Sequence, residues 1–253
     1  MRKFILLIST FILAANISAH QKIDPPVTNI DNSYVIENPS YKLGFAGIYG
    51  IPIWEMHELK SEMLQKSALS NEEWKTDNRV KGYRINPKDF ANIKLEPVQL
   101  FPKEHAGDNI PDIESSFLTS NLVFMNKQMK ETIWDRITNS FQIIAARMKV
   151  AYLYSGPVFE KDNFRLKYIL NNKVATPSYF YRIALFYENG KPAYKCYKIP
   201  NRIPTDYERK CDIDEFECNI YQLEADTNID FFDRDIDANF RQDKLKFLEK
   251  QVK

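Results

Sequence analysis

The sequence predicts an α+β protein with a central, largely antiparallel sheet flanked by helices. Three observations carry that prediction. Strand-like and helix-like runs do not alternate strictly, as a parallel βαβ sheet would require. An Asn189-Gly190 pair between aromatic-rich runs is a strong hairpin signal. One long stretch, 126–150, repeats Met129, Ile133, Ile137, Phe141, Ile144 and Met148 at helical spacing, which reads as the core face of a helix.

In chain order, residues 1–19 read as a secretory signal peptide. Arg2 and Lys3 supply the charged end, and Phe4 to Ala15 is apolar apart from Ser9 and Thr10. Ile17-Ser18-Ala19 offers a small-residue cleavage site. The run falls short of the roughly 20 apolar residues that span a bilayer, so the expectation is cleavage, secretion and no membrane attachment afterwards. Residues 20–40 form a polar, proline-containing lead-in, and 41–253 the main domain. Within it, YKLGFAGIYGIPIWEMHEL reads as two strands around a turn containing Gly50. The polar stretch KSEMLQKSALSNEEWKTDNRVKGYRINPKD reads as a surface excursion. After the long helix, AYLYSGPVF is a strand ending at Gly156-Pro157, and the next segment has strand character up to Pro200. DIDEFECNIYQLEADT is a short helix and DANFRQDKLKFLEKQ a charged terminal one.

A chain of 253 residues, 44% hydrophobic and 13% aromatic, can bury a substantial core. Its formal net charge is +1, and loss of the leader removes two positive charges. That is a poor footprint for a nucleic-acid binder. The charge is uneven, however: from Ile203 onward there are 8 basic and 14 acidic residues, so a basic face on the preceding body remains open. Three cysteines lie late in the chain, Cys196, Cys211 and Cys218. An odd count in an exported protein implies one disulfide and one spare thiol, with the pairing left open. Their spacing does not match a zinc knuckle. Beyond the leader there is no Asn-x-Ser/Thr acceptor, since Asn38-Pro39-Ser40 is blocked by proline.

Seven segments, in order, resemble one family. They are IPIWEMHEL, DFANIKLEPVQLFP, SSFLTSNLV, ETIWDRI, YLYSGPVF, KVATPSYFYRIAL with CYKIPN, and DYERKCDIDEFE with NIDFF. Together they resemble the DNA/RNA non-specific endonucleases, the sugar-non-specific nucleases of the ββα-metal (His-Me finger) class, from about Tyr41 to Phe232. The resemblance implies a ββα-metal nuclease-like fold. It also implies a catalytic pattern, D-Y-x-G-S-G-Y-D-R-G-H-L-A-P, against which this chain departs.

The histidine that would activate water is Gln99, and the aspartate, arginine and glycine before it are Glu96, Pro97 and Val98. A positioned general base is worth about 10²–10⁴-fold in rate, and an amide cannot take a proton at neutral pH. The asparagine that would hold Mg²⁺ maps to Lys130, which donates only. The glutamate that would organise the metal's waters maps to Thr138, a following arginine to Gln142, and a phosphate-clamping arginine near Glu72. The family's Pro-Gln after Asn121 is Phe124-Met125, while Asn121 itself is kept.

The expectation is therefore a secreted pseudoendonuclease with no catalytic residue and no metal ligand intact, needing no cofactor. Lys94, Lys127 and Lys130 are candidates for metal-free binding of phosphate, and so of DNA or RNA. Lys130 has an alternative role, neutralising Glu96. A second reading keeps an Mg²⁺-dependent endonuclease or phosphodiesterase with relocated residues, using His105 beside Glu104 and Asp108; turn-forming neighbours favour a solvated loop there instead. His57 is expected to be a partly buried polar residue. A third reading is a protein-interaction module built on the aromatic strands, whose ordinary role is sheet packing. Active relatives often pair, so a homodimer is open, but no residue marks its face.

Overall fold

The computed structural model describes residues 23–65, 72–159, 166–232 and 234–240. The proposed leader and most of the expected terminal helix lie outside the described residues. The polar lead-in contributes two strands that its composition did not announce, β1 (Val27–Thr28) and β2 (Ser33–Glu37). Next come β3 (Tyr41–Ala46) and β4 (Ile51–Lys60), the hairpin expected around Gly50. Gly50 has φ of 66°, and a Cβ there would collide with the Lys173 carbonyl oxygen, so the turn needs glycine twice over.

After the excursion, β5 (Glu96–Gln99) is followed by α1 (Ile110–Ser116) and then β6 (Leu122–Met125), which pairs antiparallel with β5. The long helix follows at once. It is not one uniform α-helix: α2 (Lys127–Met129) passes into a single π turn (Lys130–Trp134) and then α3 (Asp135–Met148). β7 (Val150–Val158) returns along the sheet, and β8 (Lys167–Ile169) and β9 (Val174–Thr176) make a small ladder. The chain continues through β10 (Tyr179–Glu188), β11 (Lys191–Pro200), α4 (Ile220–Thr227), β12 (Ile229–Asp230) and α5 (Arg234–Asn239). Asn189 and Gly190 both have positive φ, 52° and 77°, the left-handed pair that a two-residue hairpin demands.

The main sheet has six strands in the order β11-β10-β7-β4-β3-β2, every pair antiparallel. This is the expected α+β architecture. β7 runs on to Val158 instead of ending at Gly156-Pro157. The glycine there serves packing: a Cβ would collide with the Ile53 carbonyl and the Tyr181 hydroxyl. Among the described residues, no helix is long and apolar enough to cross a membrane.

Alternation along the strands divides the sheet into two faces. One face packs Leu59, Leu153, Phe180 and Ala184 against the long helix, whose Met129, Ile133, Ile137 and Phe141 are fully buried. Ile144 and Met148, at the end of the same stripe, are only partly covered. The other face packs Trp54, Tyr154 and Tyr181 against α4, Phe231 and Phe232. A third cluster joins β2 and β3 to Phe101 and Ile113. The buried ring of Phe141 is expected to cost about 3–5 kcal/mol when cut to alanine. Ile143→Ala, two residues on but exposed, should change stability by no more than about 0.5 kcal/mol. Urea unfolding of the two variants checks whether the stripe is the core face.

Candidate active site

The β5–β6 ladder and the helix that follows it form a two-strand-and-helix unit on one side of the sheet. A cleft of about 590 Å³ opens along it, bordered by Glu96, Gln99, Lys103, Lys130, Thr138 and Gln142, with Trp74, Phe117 and Trp134 as its aromatic wall. Most residues singled out in the sequence meet here, but their side chains are engaged with the protein.

Gln99 is the clearest case. Its Nε2 donates to the Ser116 carbonyl and the Ser116 hydroxyl oxygen, both at 2.9 Å, and its Oε1 accepts from the Lys103 N–H at 3.3 Å. Both amide hydrogens are thereby used. Asn121 reinforces the same corner: Nδ2 donates to the carbonyls of Phe101 and Ser116, and Oδ1 accepts from Phe101 N–H, all at 2.9 Å. Asn121 is fully buried, so its role here is to hold the turn. Pro97 sits in the β5 ladder opposite Phe124.

Lys130 lies in the π turn, an expansion that in helices often marks a specialised site. Its ammonium pairs with Asp135 at 3.2 Å. The expected partnership with Glu96 is not the contact made, because Asp135 on the following helical turn is closer at hand. Glu96 keeps one carboxylate oxygen, Oε2, buried without a hydrogen-bond partner among the described residues. Thr138 bonds its own helix, donating to the Trp134 carbonyl at 2.9 Å, and accepts from a guanidinium N–H of Arg182.

Arg182 was missed in the sequence. It is 1% exposed, 4.4 Å from the centre of the Trp134 ring and 5.4 Å from that of Phe141. The signal was there: a charged residue at an inward position of the apolar strand YFYRIALF. Strand register puts Glu55, Ser155 and Arg182 in one row across β4, β7 and β10. Burial draws the guanidinium down to about 10, while Glu55 opposes the shift. It therefore keeps its charge at neutral pH.

Glu55 begins a buried chain of polar contacts. Its Oε1 meets His57 Nδ1 at 2.6 Å, His57 Nε2 meets His105 Nδ1 at 2.9 Å, and His105 Nε2 meets Gln142 Nε2 at 3.3 Å. Because the Gln142 N–H donates, the network assigns every remaining proton: His105 donates to His57, and His57 to Glu55. Burial pushes the Glu55 carboxyl up, and Arg182 opposes this. Burial, with Arg182 adding to it, holds His57 down at about 3. His105 is likewise pushed well below its usual range by burial, His57 and Arg182.

Two expectations change. His105 is 1% exposed, so its loop is not solvated at this point; the turn folds Ala106 and Gly107 inward with it. His57 is 2% exposed, fully rather than partly buried. Glu104 and Asp108 stay at the surface, so the His105, Glu104 and Asp108 trio does not converge. The lysine candidates do not converge either. Lys94 borders a separate pocket of about 610 Å³ with Tyr83 and Lys88, and exposed Lys127 pairs with Glu131 at 3.8 Å. Near the expected phosphate clamp, Glu72 accepts from Lys75 at 2.7 Å.

The residues do not fit the hydrated Mg²⁺ of the resembled family. An ammonium, Lys130, stands where the resemblance expects the metal ligand, and Thr138 accepts from a guanidinium. Among the described residues, no group of three or more His, Cys, Asp or Glu side chains is placed to hold a metal ion.

A two-stranded ladder and long helix carried on this antiparallel sheet define a protein of the ββα-metal nuclease fold class. The family model described as DNA/RNA non-specific endonuclease matches residues 20–236, and the chain belongs to that family. Among solved structures it is similar to a chain of the EndoG/EndoGI complex, described as showing the mechanism of EndoG inhibition. The TM-score is 0.72 and the identity 18%, covering 79% of this chain and 86% of that one. No curated protein matches in sequence.

The buried histidines set a pH dependence. Each has a folded-state pKa below its unfolded value of about 6.5, so their contribution is present above that pH and is lost as pH falls toward the folded value. Glu55, shifted upward, works in the opposite direction. A His105→Gln variant should therefore show a flatter stability profile below pH 6 than wild type, by up to about 1.4 kcal/mol per pH unit. Denaturant unfolding between pH 4.5 and 7.5 measures the difference; parallel profiles would contradict the assignment.

Proposed function

We propose that the protein is an exported, non-catalytic member of its family, in which the nuclease cleft is kept and phosphodiester hydrolysis is lost. The observation that carries this reading is the locked amide of Gln99, bonded to Ser116 and Lys103. A water nucleophile needs a group that can take its proton, and this position offers none. Two cations support the same reading. Lys130 and Arg182 approach the segment where the family holds its metal, and both repel a divalent ion. His105 does not supply the missing base, since burial holds it out of the cleft. Export through the leader at residues 1–19 belongs to the same proposal.

The test uses purified protein with Mg²⁺ or Mn²⁺ and fluorescent single- and double-stranded DNA and RNA. Wild type should cleave no faster than Gln99→Ala and His105→Ala, with all three at the level of a protein-free blank. Cleavage by wild type that His105→Ala abolishes would establish the relocated enzyme instead. Restoring only the base, by Gln99→His, should give no activity, because the metal site would still be missing. The triple variant Gln99→His/Lys130→Asn/Thr138→Glu addresses both parts of the site.

The cleft itself favours a second, compatible reading, metal-independent binding of single-stranded nucleic acid. Trp74 and Phe117 line the cleft, and Lys103 sits over the Phe117 ring, 6.0 Å from its centre. Glu96, Glu104 and Asp135 line the same walls, so the electrostatic share is small. With Lys103 and Lys130 the cations lining the cleft among the described residues, affinity should fall roughly tenfold between 50 and 200 mM salt. Fluorescence anisotropy of a labelled oligonucleotide in EDTA reads this, and a fall of several hundredfold would place binding on another surface.

A further inference from the structure

We infer that Cys196 and Cys218 are the pair that closes as a disulfide, with Cys218 reacting first and Cys211 left as the free thiol. The proposal stands apart from the fate of the nuclease cleft.

As thiols, the two sulfurs already lie 3.2 Å apart, although the residues are 22 positions apart in sequence. The backbone holds them there. Cys218 N–H donates to the Cys196 carbonyl at 2.9 Å, and the neighbouring residues Tyr197 and Glu217 form an antiparallel bridge. Closing from 3.2 Å to a covalent length of about 2.05 Å is a short step, on the scale of a side-chain rotation. Side chains fasten the same seam: Lys195 reaches Glu217 at 3.2 Å, and the Tyr197 hydroxyl donates to Asp214 at 3.1 Å.

Cys211 is excluded by position. It packs with the core on the long-helix face of the sheet, whereas Cys196 and Cys218 pack on the opposite face. Its thiol donates to the Glu208 carbonyl at 3.5 Å, and its carbonyl accepts from Arg136 at 2.7 Å.

Access sets the order of events. Cys196 is fully buried and Cys218 half-exposed. Burial, and Cys218 beside it, push the Cys196 thiol well up. The oxidant class is a small-molecule disulfide such as oxidised glutathione. The Cys218 thiolate attacks one of its sulfurs, forming a mixed disulfide and expelling one thiolate. Cys196 then loses its proton and attacks the Cys218 sulfur, expelling the second. Two protein thiols and one disulfide become one protein disulfide and two small thiols, so electrons and protons balance.

The experiment takes the reduced full chain, incubates it with oxidised glutathione, caps remaining thiols with iodoacetamide and maps peptides without reduction. The expected result is a Cys196–Cys218 linked peptide, with Cys211 alone capped. The oxidised protein should melt about 5–10 °C above the reduced form. Cys211→Ser should keep both the link and the shift, and Cys218→Ser should lose both. A linked peptide containing Cys211, capping of all three cysteines after oxidation, or a melting shift that persists in Cys218→Ser would overturn the proposal.

Discussion

A guanidinium held away from water governs the interior of this protein. Arg182 stays ionised, and a buried charge must be compensated or the fold loses several kcal/mol. The compensation comes from three directions. Trp134 and Phe141 offer ring faces, the Thr138 hydroxyl accepts an N–H, and Glu55 lies two strands away in the same cross-strand row. Trp134, Thr138 and Phe141 lie on the long helix and Glu55 on β4, so the arginine couples the long helix to the central strands. The histidine chain extends the coupling, since Glu55 accepts from His57, and His57 from His105. Neutral imidazoles are what this arrangement requires, because a proton added to either would sit close to Arg182 with no solvent to screen it.

The same constraint reaches the cleft. In a ββα-metal scaffold, positive charge near the helix is the task of a metal ion. Here, protein cations occupy that neighbourhood, with Lys130 answered by Asp135 and Arg182 answered from within the sheet. Gln99 and Asn121 then act as a pair of clamps that tie β5 to Ser116 and Phe101. The position that the resemblance assigns to a proton acceptor here fixes a turn. In the non-catalytic reading proposed above, absence of a base and absence of a metal ligand are physically compatible with the fold, because the amides brace this corner and the charges are answered internally.

Much of the fold was legible in the sequence. The stripe from Met129 to Phe141, the Asn189-Gly190 hairpin and the Gly50 turn depend on local periodicity or local backbone conformation, which one sequence contains. Glu96, Gln99, Lys130 and Thr138 could be singled out because the surrounding motifs keep their order, and the structure brings all four onto one cleft. Arg182 opposite Glu55 was not, because strand register across β4, β7 and β10 is a tertiary fact. His105 misled for a related reason. Its neighbours are turn formers, and composition predicts a turn well but not the direction in which the turn folds. Lead-in strands β1 and β2 were invisible because their pairing partners, β12 and β3, supply the ordering.

The uneven charge distribution bears on what the cleft can bind. Among the described residues, part of the acidic segment after Ile203 lies back on β11, where Asp214 and Glu217 meet Lys195 and Asp226 meets Lys198 at 2.7 Å. Part of the body's positive surplus is therefore used within the chain. The three lysines singled out in the sequence are spread, with Lys94 at a second pocket, Lys127 exposed on the helix and Lys130 in the cleft. A polyanion gains most from cations spaced along its track, because each released counterion adds to affinity. With Glu96, Glu104 and Asp135 in the groove, the binding proposed for this cleft would have to come chiefly from its aromatic wall and shape. That favours a flexible ligand with exposed planar groups over a rigid duplex read through its backbone.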